Sequence, residues 1–275
     1  RGLGDVYKRQ MLKNIGSIEN QGYELSIESD NLTGAFSWTT AFNIAFNRNK
    51  VLELGGEEYK EMAEGDGHLK TGSVRRLIVG EPIGVFYGYR FDGIFQNEEE
   101  CKQQTSSASP IGVGLRRYKD LNGDGKVDAA NDREILGDAN PKFFGGLTNT
   151  FAYKGFELNV FLQYSYGNKI LNYNAMELEN PTGGQNAYAD MVNRWTPENP
   201  SNIYPKATTN RALLVSDRFI EDGSYLKLKT LSLSYSFPKI NLKHIQGLRL
   251  YVTGQNLLTW TKYRGYDPEV SYRGA

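Results

Sequence analysis

Between Asp120 and Asp132 the chain sets oxygen-bearing side chains at a spacing that could hold a cation. Asp120, Asn122, Asp124 and Asp128 stand at relative positions 1, 3, 5 and 9, Gly125 at 6 and the carbonyl of Lys126 at 7. That is the pattern of an EF-hand-type calcium loop, in which one short segment wraps a hard ion in oxygens and a glycine permits the sharp turn. Position 12, where such a loop carries a bidentate Glu, holds Asn131, and Asp132 follows one residue late. Two readings stand side by side: a calcium site built from Asp120, Asn122, Asp124, Lys126, Asp128 and Asp132, or an Asx-rich turn capped by its own side chains. In the first, Ca2+ would rigidify a loop rather than catalyse. No other motif asks for a cofactor.

Catalysis finds little support. Glycoside cleavage needs two carboxyl groups about 5 to 10 Å apart, and Glu57-Glu58, Glu98 to Glu100, or Asp217, Glu221 and Asp222 could supply them. With no fold signal for such an enzyme, these read as solvated loop charges. There is no nucleophile elbow, phosphate-binding glycine loop or metal-ligand cluster, and Gly145-Gly146 and Gly183-Gly184 read as turns. His68 and His244 have no zinc-spaced partners and read as surface residues. Cys101 is the single cysteine, so no disulfide can form within the chain. Thirty-two basic against 32 acidic residues argue against a nucleic-acid partner, and Arg75-Arg76 and Arg116-Arg117 are too short to change that. Tyr173, Tyr188, Trp195 and Tyr204 could stack on sugar rings or peptide side chains, or could form a small core of their own loop.

Strands must position these groups. Over residues 36–46, Phe36, Trp38, Phe42, Ile44 and Phe46 alternate with Ser37, Thr39, Ala41, Asn43 and Ala45, Thr40 being the exception on the apolar side. Period two marks an extended chain between two different environments. The pattern recurs in Leu231, Leu233, Tyr235 and Phe237, in Phe156, Leu158, Val160, Leu162 and Tyr164 with Phe161 as an exception, and over residues 23–27 and 248–256. No run approaches the roughly 18 to 20 apolar residues of a membrane-spanning helix. A chain that crosses a membrane this way does so as a barrel, and 18 Tyr suit the aromatic girdles of one, although Tyr- and Gly-rich soluble β proteins share the composition.

Connection lengths separate the two. Residues 31–35 and Lys154-Gly155 are tight turns and the break after Phe237 is modest, whereas 47–142 and 167–215 are long and rich in Gly, Asn, Pro, Asp and Glu. Short turns alternating with long loops is the habit of an outer-membrane barrel. A sandwich has no reason for it.

Specific motifs then point to a family. IENQGYEL (18–25), FNRNKV (46–51), VGEPIG (79–84), FYGY (86–89), DGIF (92–95), YKDLNGDGK (118–126) and NPKFFGG (140–146) come first. RWTP (194–197), DRFIEDGSYL (217–226), YVTGQNLLTW (251–260) and GYDP (265–268) follow in the same order. Together they resemble the SusC/RagA family of TonB-linked outer-membrane proteins of Bacteroidota.

The resemblance implies an all-β fold: an antiparallel transmembrane β-barrel with long extracellular loops, residues 11–275 being the C-terminal part of a 22-stranded barrel without its plug and final strand. Residues 1–10 resemble a cloning or sequencing scar. The implied protein lies in the Gram-negative outer membrane and imports glycans or peptides, with a SusD-like lipoprotein as lid and the TonB complex as energy source. Its strands would run inward over 19–30, outward over 36–47, inward over 146–153, outward over 156–166, inward over 225–237 and outward over 248–260. Residues 79–95 would either add an even number of membrane strands or belong to a folded outer loop. Phe36, Trp38, Phe42, Ile44 and Phe46 would face lipid, Ser37, Thr39, Asn43 and Asn47 the lumen, and Trp260 lipid or girdle. A non-transporting barrel or adhesin, and a soluble carbohydrate-binding β-sandwich, are the alternatives.

Overall fold

The computed structural model describes residues 16–62, 72–180, 186–209, 213–237 and 247–269. Residues 1–10, His68, His244 and Gly183-Gly184 lie outside them. Six long strands carry the alternation: β1 (Ser17–Thr33), β2 (Phe36–Glu53), β3 (Phe143–Tyr153), β4 (Phe156–Tyr166), β5 (Tyr225–Phe237) and β6 (Leu248–Thr261). They form one sheet whose spatial order is chain order, every neighbour antiparallel. Residues 54–142 add no strand to it, because β2 pairs directly with β3.

Register sorts the side chains into two faces, row by row. One row runs Ile27, Phe42, Leu147, Leu162, Leu228, Leu258, each the direct partner of the next, and another runs Leu32, Trp38, Phe151, Leu158, Leu233, Val252. On the opposite face the equivalent row reads Glu28, Ala41, Thr148, Phe161, Thr230, Gln255. Phe36, Tyr153, Phe156 and Tyr235 form an aromatic row at the short-turn end. Phe46, Phe143, Tyr164 and Tyr166 make ring contacts toward the other end. From Phe36 to Phe46 the strand rises about 34 Å at 3.4 Å per residue. Tilted by roughly 45°, it spans about 24 Å of height, close to the apolar band of an outer-membrane barrel. No second sheet covers the apolar face among the described residues: Leu250, Val252 and Trp260 are 57%, 67% and 52% exposed. That removes the sandwich reading, which needs this face in a core.

Three exceptions to the alternation have physical causes. Gly145 and Gly146 are not a turn but the middle of β3, and each is roofed by an aromatic ring. A Cβ on Gly145 would meet the Tyr164 hydroxyl at 2.6 Å, and one on Gly146 would meet the Phe161 ring at 2.7 Å. Phe161 therefore sits on the polar face to cover a glycine, the same device by which an aromatic side chain shields an exposed strand glycine. Thr40 lies opposite Asn149, whose Oδ1 accepts from Thr40 Oγ1 at 2.8 Å and from Trp38 Nε1 at 2.9 Å, so these polar atoms on the apolar face are paired. In β5, Lys229 is a bulge, and the slip keeps Leu226 and Leu228 on the same face as Leu231 and Leu233.

The turns also follow from local chemistry. β1 runs on to Thr33, so the first turn is Gly34-Ala35 and Asn31 is a bulge within the strand. Lys154 and Gly155 both take positive φ, 46° and 87°, as the two centre residues of a type I′ hairpin must. Both turns lie at one end of the sheet, and both long connections leave from the other.

Those connections are folded. Residues 59–62, 75–78, 85–89 and 133–137 form a four-stranded sheet, and the second connection contributes short helices at Tyr173–Leu178 and Ala189–Asn193. Among the described residues the larger buried cluster draws Val74 and Phe86 from the first connection and Leu171, Met176, Leu213 and Phe219 from the second. The core thus sits in the loop layer, while the long sheet is half-buried over its inner strands and exposed over its outer ones.

Candidate functional site

The loop layer is stitched across its two halves by buried and half-buried polar contacts. Asp217 accepts from the Phe91 amide at 2.8 Å and pairs with Arg90, Asn202 accepts from the Ile94 amide at 2.9 Å, and Trp195 Nε1 donates to Gln96 Oε1 at 3.0 Å. At its centre lies Glu179, 1% exposed, which binds Arg218 and, at 3.0 Å, Arg264, while its backbone carbonyl accepts from Arg116 Nη2 at 3.0 Å. Glu221 accepts from Arg264 at 2.7 Å and from Asn172 Nδ2 at 3.0 Å. Asp222 holds Ser224, whose hydroxyl and amide keep its carboxyl below the ordinary range. Asp217, Glu221 and Asp222 are therefore joints of the layer, not solvated charges. Glu98 to Glu100 open a short helix capped by Asn97, whose Oδ1 accepts from the Glu100 amide at 2.9 Å.

After β6 the chain folds back on β5. Lys227, 1% exposed, lies between Asp267 at 2.8 Å and Glu269, and Lys229 also reaches Glu269 at 2.8 Å. Burial alone would raise the Glu269 carboxyl, but the two ammonium groups overcome it and hold it at about 2.

The Asp120 loop comes together as a self-capped turn. Asp120 accepts from the Gly123 and Gly125 amides, both at 2.7 Å, and Asp124 from the Lys126 amide at 2.8 Å. Asn122 accepts from the Asp124 amide at 3.2 Å. Asp132, wholly buried, accepts from the Leu121 and Asp128 amides at 2.8 and 2.7 Å, closing the loop from its late position. The Lys126 ammonium lies 3.0 Å from Asp128 and, with the Asn131 amide, keeps that carboxyl low. Among the described residues no three His, Cys, Asp or Glu side chains gather closely enough to hold a metal. Each carboxylate retains lone pairs beyond those its amides use.

All four candidate aromatics lie half-buried in the loop layer. Tyr173 and Tyr188 pack on the main cluster, the Trp195 indole is tied to Gln96, and the Tyr204 hydroxyl lies 3.3 Å from Asp190 with Arg218 over its ring. Sequence reasoning passed over Glu179, Arg116, Arg218, Arg264 and Lys227. Arg218 lay within the DRFIEDGSYL motif and Arg116 in a basic dipeptide weighed solely against phosphate, while Glu179, Lys227 and Arg264 fell outside every motif.

Comparison with known proteins gives the arrangement a family. The chain is 40% identical over 265 residues to TonB-dependent receptor P3 of Formosa agariphila, covering 95% of this chain and 26% of that protein. It is 35% identical to TonB-dependent receptor P26 of the same organism and 28% identical to TonB-dependent receptor SusC of Bacteroides thetaiotaomicron, with 96% and 98% of this chain covered. Among solved structures, that of the RagAB peptide transporter superposes with a TM-score of 0.72 at 24% identity, over 93% of this chain and 27% of that one, and so shares the fold. No family model matches. The chain spans about a quarter of the length of the curated relatives it matches. It is a β-barrel segment, and it belongs to the SusC/RagA family of TonB-dependent receptors.

Proposed function

We propose that this chain forms part of the wall and outer mouth of an outer-membrane importer of oligosaccharides or peptides, driven through TonB and closed by a SusD-like lipoprotein lid. The observation that carries the reading is the two-faced sheet: six antiparallel strands in chain order, one apolar face about as tall as a bilayer core, and both long connections at one end. In lipid an open sheet edge leaves backbone groups unpaired, so the exposed outer strands β1 and β6 would pair with further strands of the complete barrel. The loop layer would then face the cell exterior, and the short turns the periplasm. The name of the RagAB structure speaks of peptides and the names of the curated relatives of receptors, and none of them names an enzyme.

The test is uptake by cells carrying the full-length gene. Accumulation of an oligosaccharide or peptide that depends on both the gene and TonB supports the reading. Import unaffected by TonB deletion would remove the TonB-driven importer, import unaffected by loss of the gene would leave the non-transporting barrel or adhesin, and recovery of the full-length protein in the soluble fraction would remove the barrel altogether. Calcium at Asp120, Asn122, Asp124, Lys126, Asp128 and Asp132 remains a proposal for the same layer. Its support is the spacing of the oxygens and their spare lone pairs, and its test is whether millimolar Ca2+ raises the melting temperature of the full-length receptor over that in chelator. Contact of Tyr173, Tyr188, Trp195 or Tyr204 with substrate is likewise proposed, through the part of each side chain left exposed.

A further inference from the structure

A cavity of about 60 Å3 opens in the loop layer between residues 108–118 of the first connection and Pro205, Thr208, Leu213 and Leu214 of the second. Its walls are mostly apolar, with Pro110, Leu115, Pro205 and Leu213 among them, and Arg116 is its one charged lining residue. The volume holds about four waters at 10–15 Å3 each. That is the size of a carboxylate with one or two carbons attached.

Arg116 stands apart from its neighbours. Arg76, Arg90, Arg117, Arg133, Arg218 and Arg264 each hold a carboxylate. Arg116 makes no ion pair among the described residues. Its Nη2 is spent on the Glu179 carbonyl, and its Nε, like those of Arg76 and Arg218, is buried without a hydrogen-bond partner. Burial, with Arg218 nearby, pushes this guanidinium's pKa down against the opposing pull of Tyr118 and Glu179. A half-buried cation that makes no ion pair is costly, and a carboxylate entering the cavity beside it would relieve that cost.

We propose that this cavity is a carboxylate subsite, in which Arg116 pairs with a carboxylate of the imported molecule while the apolar walls take the carbons beside it. The inference rests on the importer reading and sharpens its substrate class to acids: a free peptide C-terminus or a uronic acid. Sulfate and phosphate fit less well. Each carries more oxygens than a carboxylate, and the wall offers one guanidinium and the neutral side chains of Ser109, Tyr118 and Thr208.

The test uses the purified full-length receptor with sodium propionate as probe, followed by saturation-transfer NMR or calorimetry. Propionate should bind and propionamide should not, and Arg116→Gln should weaken propionate about tenfold or more, the usual loss for a hydrogen bond to a charged group. Because Arg116 also ties Glu179, a second variant, Ala108→Leu, fills the cavity from another wall and should abolish propionate binding while leaving the melting temperature in place. Trialanine against its C-terminal amide, and digalacturonate against its methyl ester, distinguish the two sources of the carboxylate. Equal binding of propionate and propionamide, no loss in either variant, or stronger competition by sulfate would overturn the subsite. Those outcomes leave TonB-dependent uptake standing, just as TonB-independent uptake would remove the importer reading and leave the propionate result intact.

Discussion

Placing an arginine on each face of β2 tests which solvent each face meets. Phe42 lies in the middle of the apolar row set, six residues above Phe36, partnered by Ile27 and Leu147 and stacked on Tyr164 at 6.4 Å between ring centroids. At about 3.4 Å per residue and a roughly 45° tilt, Phe42 stands about 14 Å above the short-turn rim, close to the midplane of a 25 Å apolar band. Arg at the midplane of a barrel's lipid face costs about 2–4 kcal/mol. Loss of the ring contact with Tyr164 adds about 0.5–1.5 kcal/mol. Phe42→Arg should therefore lower the folded-to-unfolded ratio by roughly sixtyfold to ten-thousandfold. Ala41, one residue earlier, faces the other way, exposed between Glu28 and Thr148. An Arg there meets Glu28 and should change stability by about 1 kcal/mol or less, in the favourable direction. Ala41 is a cleaner control than Asn43, whose Oδ1 accepts from the Gly146 amide at 2.6 Å. The assay is reversible denaturant unfolding of the full-length receptor in phospholipid vesicles, with heat-modifiable gel mobility of outer-membrane fractions as the cellular counterpart. Equal losses in the two variants, or a larger loss in Ala41→Arg, would refute the assignment of faces.

Three further outcomes follow from the geometry. Gly145→Ala sets a methyl 2.1 Å from the Asn43 carbonyl oxygen, a backbone clash that must push β2 and β3 apart, whereas the nearest atom for Gly146→Ala is the movable Phe161 ring. The first should cut the heat-modifiable folded fraction severalfold more than the second. Glu179→Gln removes a buried carboxylate from between Arg218 and Arg264 and should destabilise the loop layer by about 3–5 kcal/mol, read as faster protease cleavage within 173–219 while the sheet stays intact. Because Glu269 is held down at about 2 from an ordinary 4.5, its pairing contributes fully above pH 4.5 and is lost as pH falls toward 2. Hydrogen-exchange protection of residues 262–269 should be flat from pH 7 to 4.5, after correction for intrinsic exchange rates, and decline below that, with the decline moved to higher pH in Lys229→Met.

How much of this was legible in the sequence depends on what fixed each element. The six long strands were readable because a sheet between two solvents imposes period two on every strand, so Phe36 to Phe46 or Leu231 to Phe237 declare their faces without any tertiary information. Their exceptions were not. Phe161, Gly146, Thr40 and Asn149 make sense only in pairs drawn from different strands, Phe161 over Gly146 and Thr40 against Asn149, and one strand's sequence says nothing about its partner's register. The bulge at Lys229 was hidden for the same reason.

The loop layer was harder, since no periodicity governs it. Its polar residues looked like solvent-facing charge, yet Asp217, Glu221 and Glu179 serve as joints between segments up to 127 residues apart, as in the Arg90–Asp217 contact. A folded core built from two long connections explains why: with little helix or long strand to satisfy its backbone, the layer must use side chains such as Asp217, Asn202 and Asp132 to accept from buried amides. By the same logic an arginine in that layer is normally spoken for. Arg116, which lines a small, mostly apolar cavity and makes no ion pair among the described residues while Arg218 and Arg264 both hold Glu179, departs from that rule, and it is there that a ligand's carboxylate would complete the layer.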